Sequence, residues 1–377
     1  MPNPVNRLAL ALICIGPLFL SCTTINRKPG IGAESIKIEK IEHFRLGWYD
    51  GINNLENIAD IAEAGFDYCM PYVGDGDEAA IQTYVEAAER TGLDVFLEIP
   101  RSLIQTQEQT LANYVAKFND SPRVIGWYLY DEPEWKPGIN PVILHHAYTT
   151  IKEYSREKPV ALVFMVPWLI TPYREAMDEL WYDFYPITEK QNEFSAFRGG
   201  KYAHTIQRIA SKATSLKKPL TLVLQGFGAT VSGKAQFGRR LPTQAETRYM
   251  LYSALLGRPS SILYWTYYRT DPAWVVATLS PLVREFRSRF PQALVYETGP
   301  RFRTSGGSCD TLVLGNAEGR RWLLAISHED KEKSLTIIAP SSYRFKLENQ
   351  DQVTITLPAF GVVLLDLAEN LPIAPRG

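Results

Sequence analysis

Between residues 44 and 289 the chain alternates short apolar runs with longer amphipathic stretches, eight times over. Runs rich in Val, Ile, Leu, Trp and Tyr suit buried strands, and stretches with apolar residues three and four apart suit helices packed by one face. The expected strands are 44–49, 67–73, 93–99, 124–130, 160–166, 180–185, 220–224 and 261–267. The expected helices are 55–64, 77–91, 110–119, 141–157, a short one at 173–179, 202–215, 243–256 and 282–289. Helix-to-strand junctions are short and carry turn residues, as at Ala64-Gly65, Thr91-Gly92, Lys158-Pro159 and Lys218-Pro219. Strand-to-helix junctions are longer. That asymmetry predicts a (β/α)8 TIM barrel, an α/β fold whose functional residues stand at the carboxyl ends of the strands. A doubly wound open sheet would call for a glycine-rich phosphate turn near its start, and none is present.

After about residue 291 the pattern changes. Short strand-like runs at 311–314, 321–327, 334–338, 343–347, 352–357 and 361–367 follow one another with no helix between them. Asn316-Ala317-Glu318-Gly319 fits a hairpin turn. A small C-terminal antiparallel β-sandwich is therefore expected after the barrel. The domains are read as a signal peptide at 1–21, a tether at 22–40, the barrel at 41–292 and the sandwich at 293–377.

Arg7 precedes an uncharged apolar run at 8–20 that is short for a bilayer span and has the layout of a secretory signal. Phe19-Leu20-Ser21-Cys22 resembles a bacterial lipobox, with Phe where Leu is usual. The resemblance implies lipidation of Cys22 and a place on the periplasmic or extracellular face of the bacterial cell envelope, with membrane contact through the anchor alone. An ordinary signal cleaved nearby is the alternative.

Formal net charge is −1, from 40 basic and 41 acidic residues, so the basic excess of a nucleic-acid binder is missing. Four cysteines are present. Cys14 falls in the signal, and Cys69 and Cys309 are expected as free thiols, a disulfide between them being the alternative. No CxxC pair or His-x-x-x-His spacing points to zinc. His145-His146 sits on an expected helix, where neighbours point apart and chelate poorly. No metal or cofactor is expected.

The chemistry concentrates at Val124-Ile125-Gly126-Trp127-Tyr128-Leu129-Tyr130-Asp131-Glu132-Pro133-Glu134. An apolar strand ends in three acids around a proline that cannot continue it. Together with Asp183-Phe184-Tyr185-Pro186, Leu224-Gln225-Gly226-Phe227-Gly228 and Tyr264-Trp265-Thr266-Tyr267-Tyr268, this run resembles the clan A glycoside hydrolases and their relatives, in an Asp-Glu-Pro branch of bacterial lipoproteins. The resemblance implies an oligo- or polysaccharide substrate and places Glu132 at the general-acid position. Asp131 stands where the clan most often has a sugar-binding Asn. Gln225 occupies the usual place of the nucleophilic glutamate, so a second carboxylate has to come from elsewhere.

Asp183, at the end of strand six, is the first choice for that partner, and Glu98, at the end of strand three, the second. A gap of roughly 6.5–9.5 Å to Glu132 would leave room for water and give inversion. The bland readings are a hydroxyl acceptor or rim ion pair for Asp183 and an arginine ion pair for Glu98. Substrate contacts are expected from Asp131, Gln225, Trp48, Asp50, Tyr185, Trp265 and Tyr268. Arg239 and Arg240 are read as exposed loop residues, with a grip on an acidic sugar as the alternative. Glu134 is read as solvated. Two rival readings remain. One is a non-catalytic, lipid-anchored sugar binder, with Trp48, Trp127, Trp265 and Tyr268 as platforms. The other is a divalent-metal site built from Asp50, Glu98, Asp131, Glu132 and Asp183.

Overall fold

The computed structural model describes residues 36–369 except 106–107, 137, 229–237 and 300. The signal peptide and the Cys22 lipidation site lie outside the described residues. Eight parallel strands close into a barrel: β2 (Arg45–Gly51), β3 (Tyr68–Tyr72), β4 (Asp94–Glu98), β5 (Val124–Asp131), β6 (Val160–Phe164), β7 (Glu179–Asp183), β8 (Leu220–Gln225) and β9 (Ser261–Trp265). Another strand, β1 (Lys37–Ile41), precedes them outside the barrel. Helices such as Glu78–Thr91, Pro141–Tyr154, Lys201–Leu216 and Gln244–Leu255 cover the outside. Their starts follow local chemistry. Asn140 accepts from Val142 and Ile143 N–H, and Thr243 with Glu246 forms a reciprocal capping box. Between β6 and β7 the expected helix is replaced by 3-10 turns, Pro167–Leu169 and Thr171–Ala176, in a proline-punctuated segment.

Side chains alternate between two cores. Tyr49, Met70, Phe96, Tyr128, Val163, Trp181, Val223 and Leu263 fill the barrel interior. Trp48, Cys69, Leu97, Trp127, Leu162, Leu222 and Ile262 face the helices. Gly126 has no side chain because a Cβ there would stand 2.2 Å from the Phe96 ring. The pairing of β5 with β6 slips between Tyr128 and Tyr130. Leu129 and Tyr130 both join the outer core, and Tyr128 belongs to the inner one. Such a bulge re-aims the residues beyond it, and here it returns Asp131 to the inner face.

The C-terminal region forms two antiparallel sheets from β10 (Leu294–Thr298), β11 (Arg303–Ser305), β12 (Asp310–Gly315), β13 (Arg321–Ile326), β14 (Lys333–Ile338), β15 (Tyr343–Phe345), β16 (Gln352–Leu357) and β17 (Val362–Glu369). Six strands run in the order β1-β10-β12-β13-β17-β15, and three in the order β11-β14-β16. The larger sheet is covered on both faces. Val313, Leu323, Ala325 and Leu367 meet Leu335, Ile337 and Leu357 of the small sheet. Leu312, Leu314, Trp322, Leu324 and Ile326 join the core of the barrel helices, with Trp322 edge-on to Phe290 at 5.1 Å.

Residues 37–40, expected as tether, together with Ile41 instead pair with β10 from Lys37 opposite Thr298 to Ile41 opposite Leu294. The segment Lys37-Ile38-Glu39-Lys40-Ile41 is mostly exposed, so its pattern gives little hydrophobic signal. Its partner lies some 250 residues away in sequence. Cys69 and Cys309 are free thiols. Among the described residues no helix is long and apolar enough to cross a membrane.

Candidate active site

The carboxyl ends of the barrel strands surround a cavity of about 410 Å³. Three acids line it: Asp131 and Glu132 from the end of β5, and Asp183 from the end of β7. Five aromatic side chains, Tyr49, Tyr72, Tyr185, Phe227 and Trp265, form much of its wall, and Lys136 and Arg239 complete it.

The bulge in β5 and the turn that follows it set the two adjacent acids. Tyr128 donates its hydroxyl to Asp131 Oδ1 at 2.8 Å. Glu132 takes a left-handed backbone conformation, φ +46°, and its N–H donates to Val163 O at 3.1 Å. A non-glycine residue held there is strained, and such strain concentrates at functional positions. Pro133 then opens a short 3-10 turn, Pro133–Trp135. Glu134 is not the solvated acid expected from sequence. Its Oε1 accepts from the N–H groups of Met165 and Val166 at 2.8 and 3.1 Å, tying the loop after β5 to the loop after β6.

Glu132 and Asp183 interact carboxyl to carboxyl. Burial pushes the Asp183 carboxyl well above the usual range, and the charges of Glu132 and Asp131 push it further. Glu132 is raised by burial first and by Asp131 second, against a lowering contact from Asp183. The more buried partner, Asp183, therefore holds a proton and offers it to Glu132, as like charges in contact cannot both ionise. Asp183 Oδ1 is buried without a hydrogen-bond partner.

Trp265 closes one wall. It stacks on Tyr185 at 5.5 Å and 24°, meets Phe227 edge-on at 4.4 Å, and donates Nε1–H to the Tyr72 hydroxyl at 3.0 Å. Its face is thus fixed from three sides, and its peptide to Thr266 is cis. Rigid aromatic faces of this kind can stack on the apolar faces of sugar rings.

Several expected site residues are turned elsewhere. Gln225 is fully buried: its Oε1 accepts from Ile187 N–H at 2.9 Å, and its Nε2 donates to the carbonyls of Ile187, Phe227 and Arg240 at 3.0, 3.2 and 3.1 Å. It is a strut between loops and not a substrate contact. Glu98 accepts from Val73 and Gly74 N–H at 2.6 and 3.1 Å, and burial raises it to about 7. It pins the loop after β3 and lies outside the cavity lining, with the Arg101 charge acting on it but no arginine in salt-bridge contact among the described residues. Asp50 faces the helices, bound by Asn57 at 2.9 Å and Tyr84 at 3.0 Å, and is raised to about 6 by burial. Trp48 packs between Phe66, Tyr264 and Tyr267, and Trp127 donates to Ser155 at 2.8 Å, so both are core. Tyr268 lies outside the cavity lining, half-exposed, with the Arg269 guanidinium 5.1 Å from its ring. The five-acid metal cluster dissolves, since Asp50 and Glu98 bond away from the other three. Among the described residues no group of three or more His, Cys, Asp or Glu converges to hold a metal ion.

Tyr49, Tyr72, Phe227 and Lys136 were not singled out by sequence. Alternation offers the signal for Tyr49: it stands between Trp48 and Asp50 on β2, and an acid or Trp facing the helices leaves Tyr49 facing in. Of the two loop arginines, Arg240 pairs with Glu246 at 2.7 and 2.8 Å, while Arg239 lines the cavity.

No protein-family model matches the chain, and no curated protein matches it. Solved structures do. A β-galactosidase from Bacillus circulans sp. alkalophilus superposes with a TM-score of 0.59 at 8% identity, covering 87% of this chain and 99% of that one. A family 5 glycoside hydrolase from Bacteroides vulgatus gives 0.57 at 9%, covering 86% and 89%. A family 39 glycoside hydrolase from the gut symbiont Bacteroides cellulosilyticus gives 0.50 at 15%, covering 88% and 82%. The chain has the fold of the glycoside hydrolase barrels. Three further glycosidase structures are longer, and the chain spans 60%, 53% and 59% of their length. At these identities the likeness is one of fold, and within that glycoside hydrolase fold the chemistry rests on this chain's own site.

Proposed function

We propose that this protein hydrolyses O-glycosidic bonds in an oligo- or polysaccharide, with Glu132 as general acid and Asp183 as its carboxyl partner. The observation that carries the reading is that these two acids line one aromatic-walled cavity at the carboxyl ends of the barrel strands, where each perturbs the other's proton affinity. The pair holds one proton between two acids. Transfer of that proton through Glu132 to the glycosidic oxygen leaves both groups as carboxylates, a state disfavoured in the empty site and offset here by the positive charge that develops on the sugar beside them. That arrangement stabilises an oxocarbenium-like transition state. Water attacks the anomeric carbon and returns a proton to the pair, so the cycle closes without a cofactor. Asp131, held by Tyr128, keeps the proton affinity of the pair high. Trp265 and Tyr185 offer stacking surfaces for the sugar. The lipobox-like Phe19 to Cys22 supports a lipid-anchored protein of the bacterial envelope acting on glycans at the cell surface.

One observation favours a second reading, a barrel that binds glycan without cleaving it. The end of β8 carries the buried strut Gln225 and no carboxylate. Turnover and binding measured side by side on a glycan panel separate the two. Hydrolysis by the wild type and none by Glu132→Gln supports the enzyme. Binding by both proteins with hydrolysis by neither supports the binder.

A further inference from the structure

Guanidinium groups in low-exposure surroundings need an opposite charge, because removing a charged group from water is unfavourable unless a counter-ion meets it. In this chain Arg240 meets Glu246, Arg287 meets Asp67, Arg321 meets Glu297 and Arg248 meets Glu285. Arg239 departs from that pattern. Its Nη1 donates to the Tyr185 carbonyl at 2.6 Å, its side chain lines the active-site cavity, and no carboxylate pairs with it among the described residues. Burial lowers its pKa, with only Tyr185 acting to raise it. Lys136, on the loop after β5, lines the same cavity; its charge lowers the Glu132 carboxyl, and no carboxylate forms a salt bridge with it among the described residues.

Resting on the glycosidase reading above, we propose that the cavity takes an anionic sugar, the carboxylate of a uronic acid residue being held by Arg239 and Lys136. The Tyr185 carbonyl fixes the guanidinium by one nitrogen and leaves further N–H groups in a planar fork, which matches a carboxylate. Local charge permits the anion. With one proton on the Glu132–Asp183 pair, the negative charges of the pair and of Asp131 are balanced by Lys136 and Arg239, so the lining does not repel it. Tyr185 ties the two functions together: its ring stacks on Trp265, where a sugar would lie, and its carbonyl orients Arg239.

The test is binding by calorimetry to Glu132→Gln, and turnover by the wild type. The ligands are oligosaccharides of galacturonate, glucuronate and mannuronate, their carboxyl-reduced counterparts, and sulfated neutral oligosaccharides. The expected result is preference for one uronate series over its reduced form by about tenfold or more, the scale of a charge-assisted hydrogen bond. Lys136→Gln and Arg239→Gln should each remove most of that preference. Arg239→Lys, which keeps the charge and loses the fork, should fall between. Lys136 carries no fold-supporting ion pair, so Lys136→Gln keeps the test informative if Arg239 variants misfold. Neutral glycans bound or cleaved as well as uronates would overturn the inference and leave the glycosidase reading standing. Preference for the sulfated series would overturn the carboxylate assignment. No binding or turnover of any member would overturn both.

Discussion

Replacing Gln225 with Glu would restore a carboxylate where the resemblance places a nucleophile, yet the structure predicts damage. Nε2 of Gln225 donates to three buried carbonyls, those of Ile187, Phe227 and Arg240, at 3.0–3.2 Å. A glutamate puts an oxygen there. Ionised, it donates to none of them and faces three carbonyl dipoles; protonated, it donates once. At least two buried acceptors lose their partner, at about 1–3 kcal/mol each, so Gln225→Glu should cost about 2–6 kcal/mol. Set against a total stability of about 5–15 kcal/mol, that loss is large. Gln225→Ala, which also orphans the Ile187 N–H, should be at least as damaging. Urea unfolding of the three proteins followed by circular dichroism, with turnover measured on the folded fraction, checks this. A Gln225→Glu protein as stable as the wild type, or more active than it, would refute the strut and return position 225 to the catalytic centre.

Three further outcomes follow from the geometry. Asp131→Asn removes a charge that raises both Glu132 and Asp183; since the general acid must be protonated, the alkaline limb of the pH–rate profile should move to lower pH, and an unmoved limb would exclude Asp131 from that role. Glu98 is raised on folding from 4.5 to about 7, so its contribution is full below pH 4.5 and lost as pH rises through about 7. Glu98→Gln keeps the acceptor for Val73 and Gly74, and should flatten that fall and exceed the wild type by about 3 kcal/mol at pH 8 in urea unfolding. Glu132→Gly should abolish hydrolysis while raising the urea midpoint, because glycine relieves the left-handed backbone by about 1 kcal/mol.

The barrel and the sandwich were legible because strand and helix periods differ and because Gly and Pro mark the junctions. The acids at the end of β5 were legible because Pro133 stops the strand where they stand. Facing was harder to read. Asp50 and Glu98 end strands just as Asp183 does, but Asp50 falls on the outer face and Glu98 bends to the Val73 and Gly74 amides. The bulge between Tyr128 and Tyr130 has no sequence mark, and without it Asp131 would point the other way. Gln225 sits at the expected position in sequence, yet its hydrogen bonds run to residues as distant as Ile187, which only the folded chain brings near. Strands β1 and β11 were missed for a related reason: exposed in one case and three residues long in the other, they gain their stability from partners remote in sequence.

The central claim is that the Glu132–Asp183 pair cleaves glycosidic bonds. Reducing-end release from a panel of neutral and acidic glycans, by the soluble chain lacking residues 1–22 and by its Glu132→Gln and Asp183→Asn variants, tests it most directly. The account predicts release by the wild type on at least one glycan, loss of it in Glu132→Gln and a severe drop in Asp183→Asn. Release that persists undiminished in Glu132→Gln would contradict it.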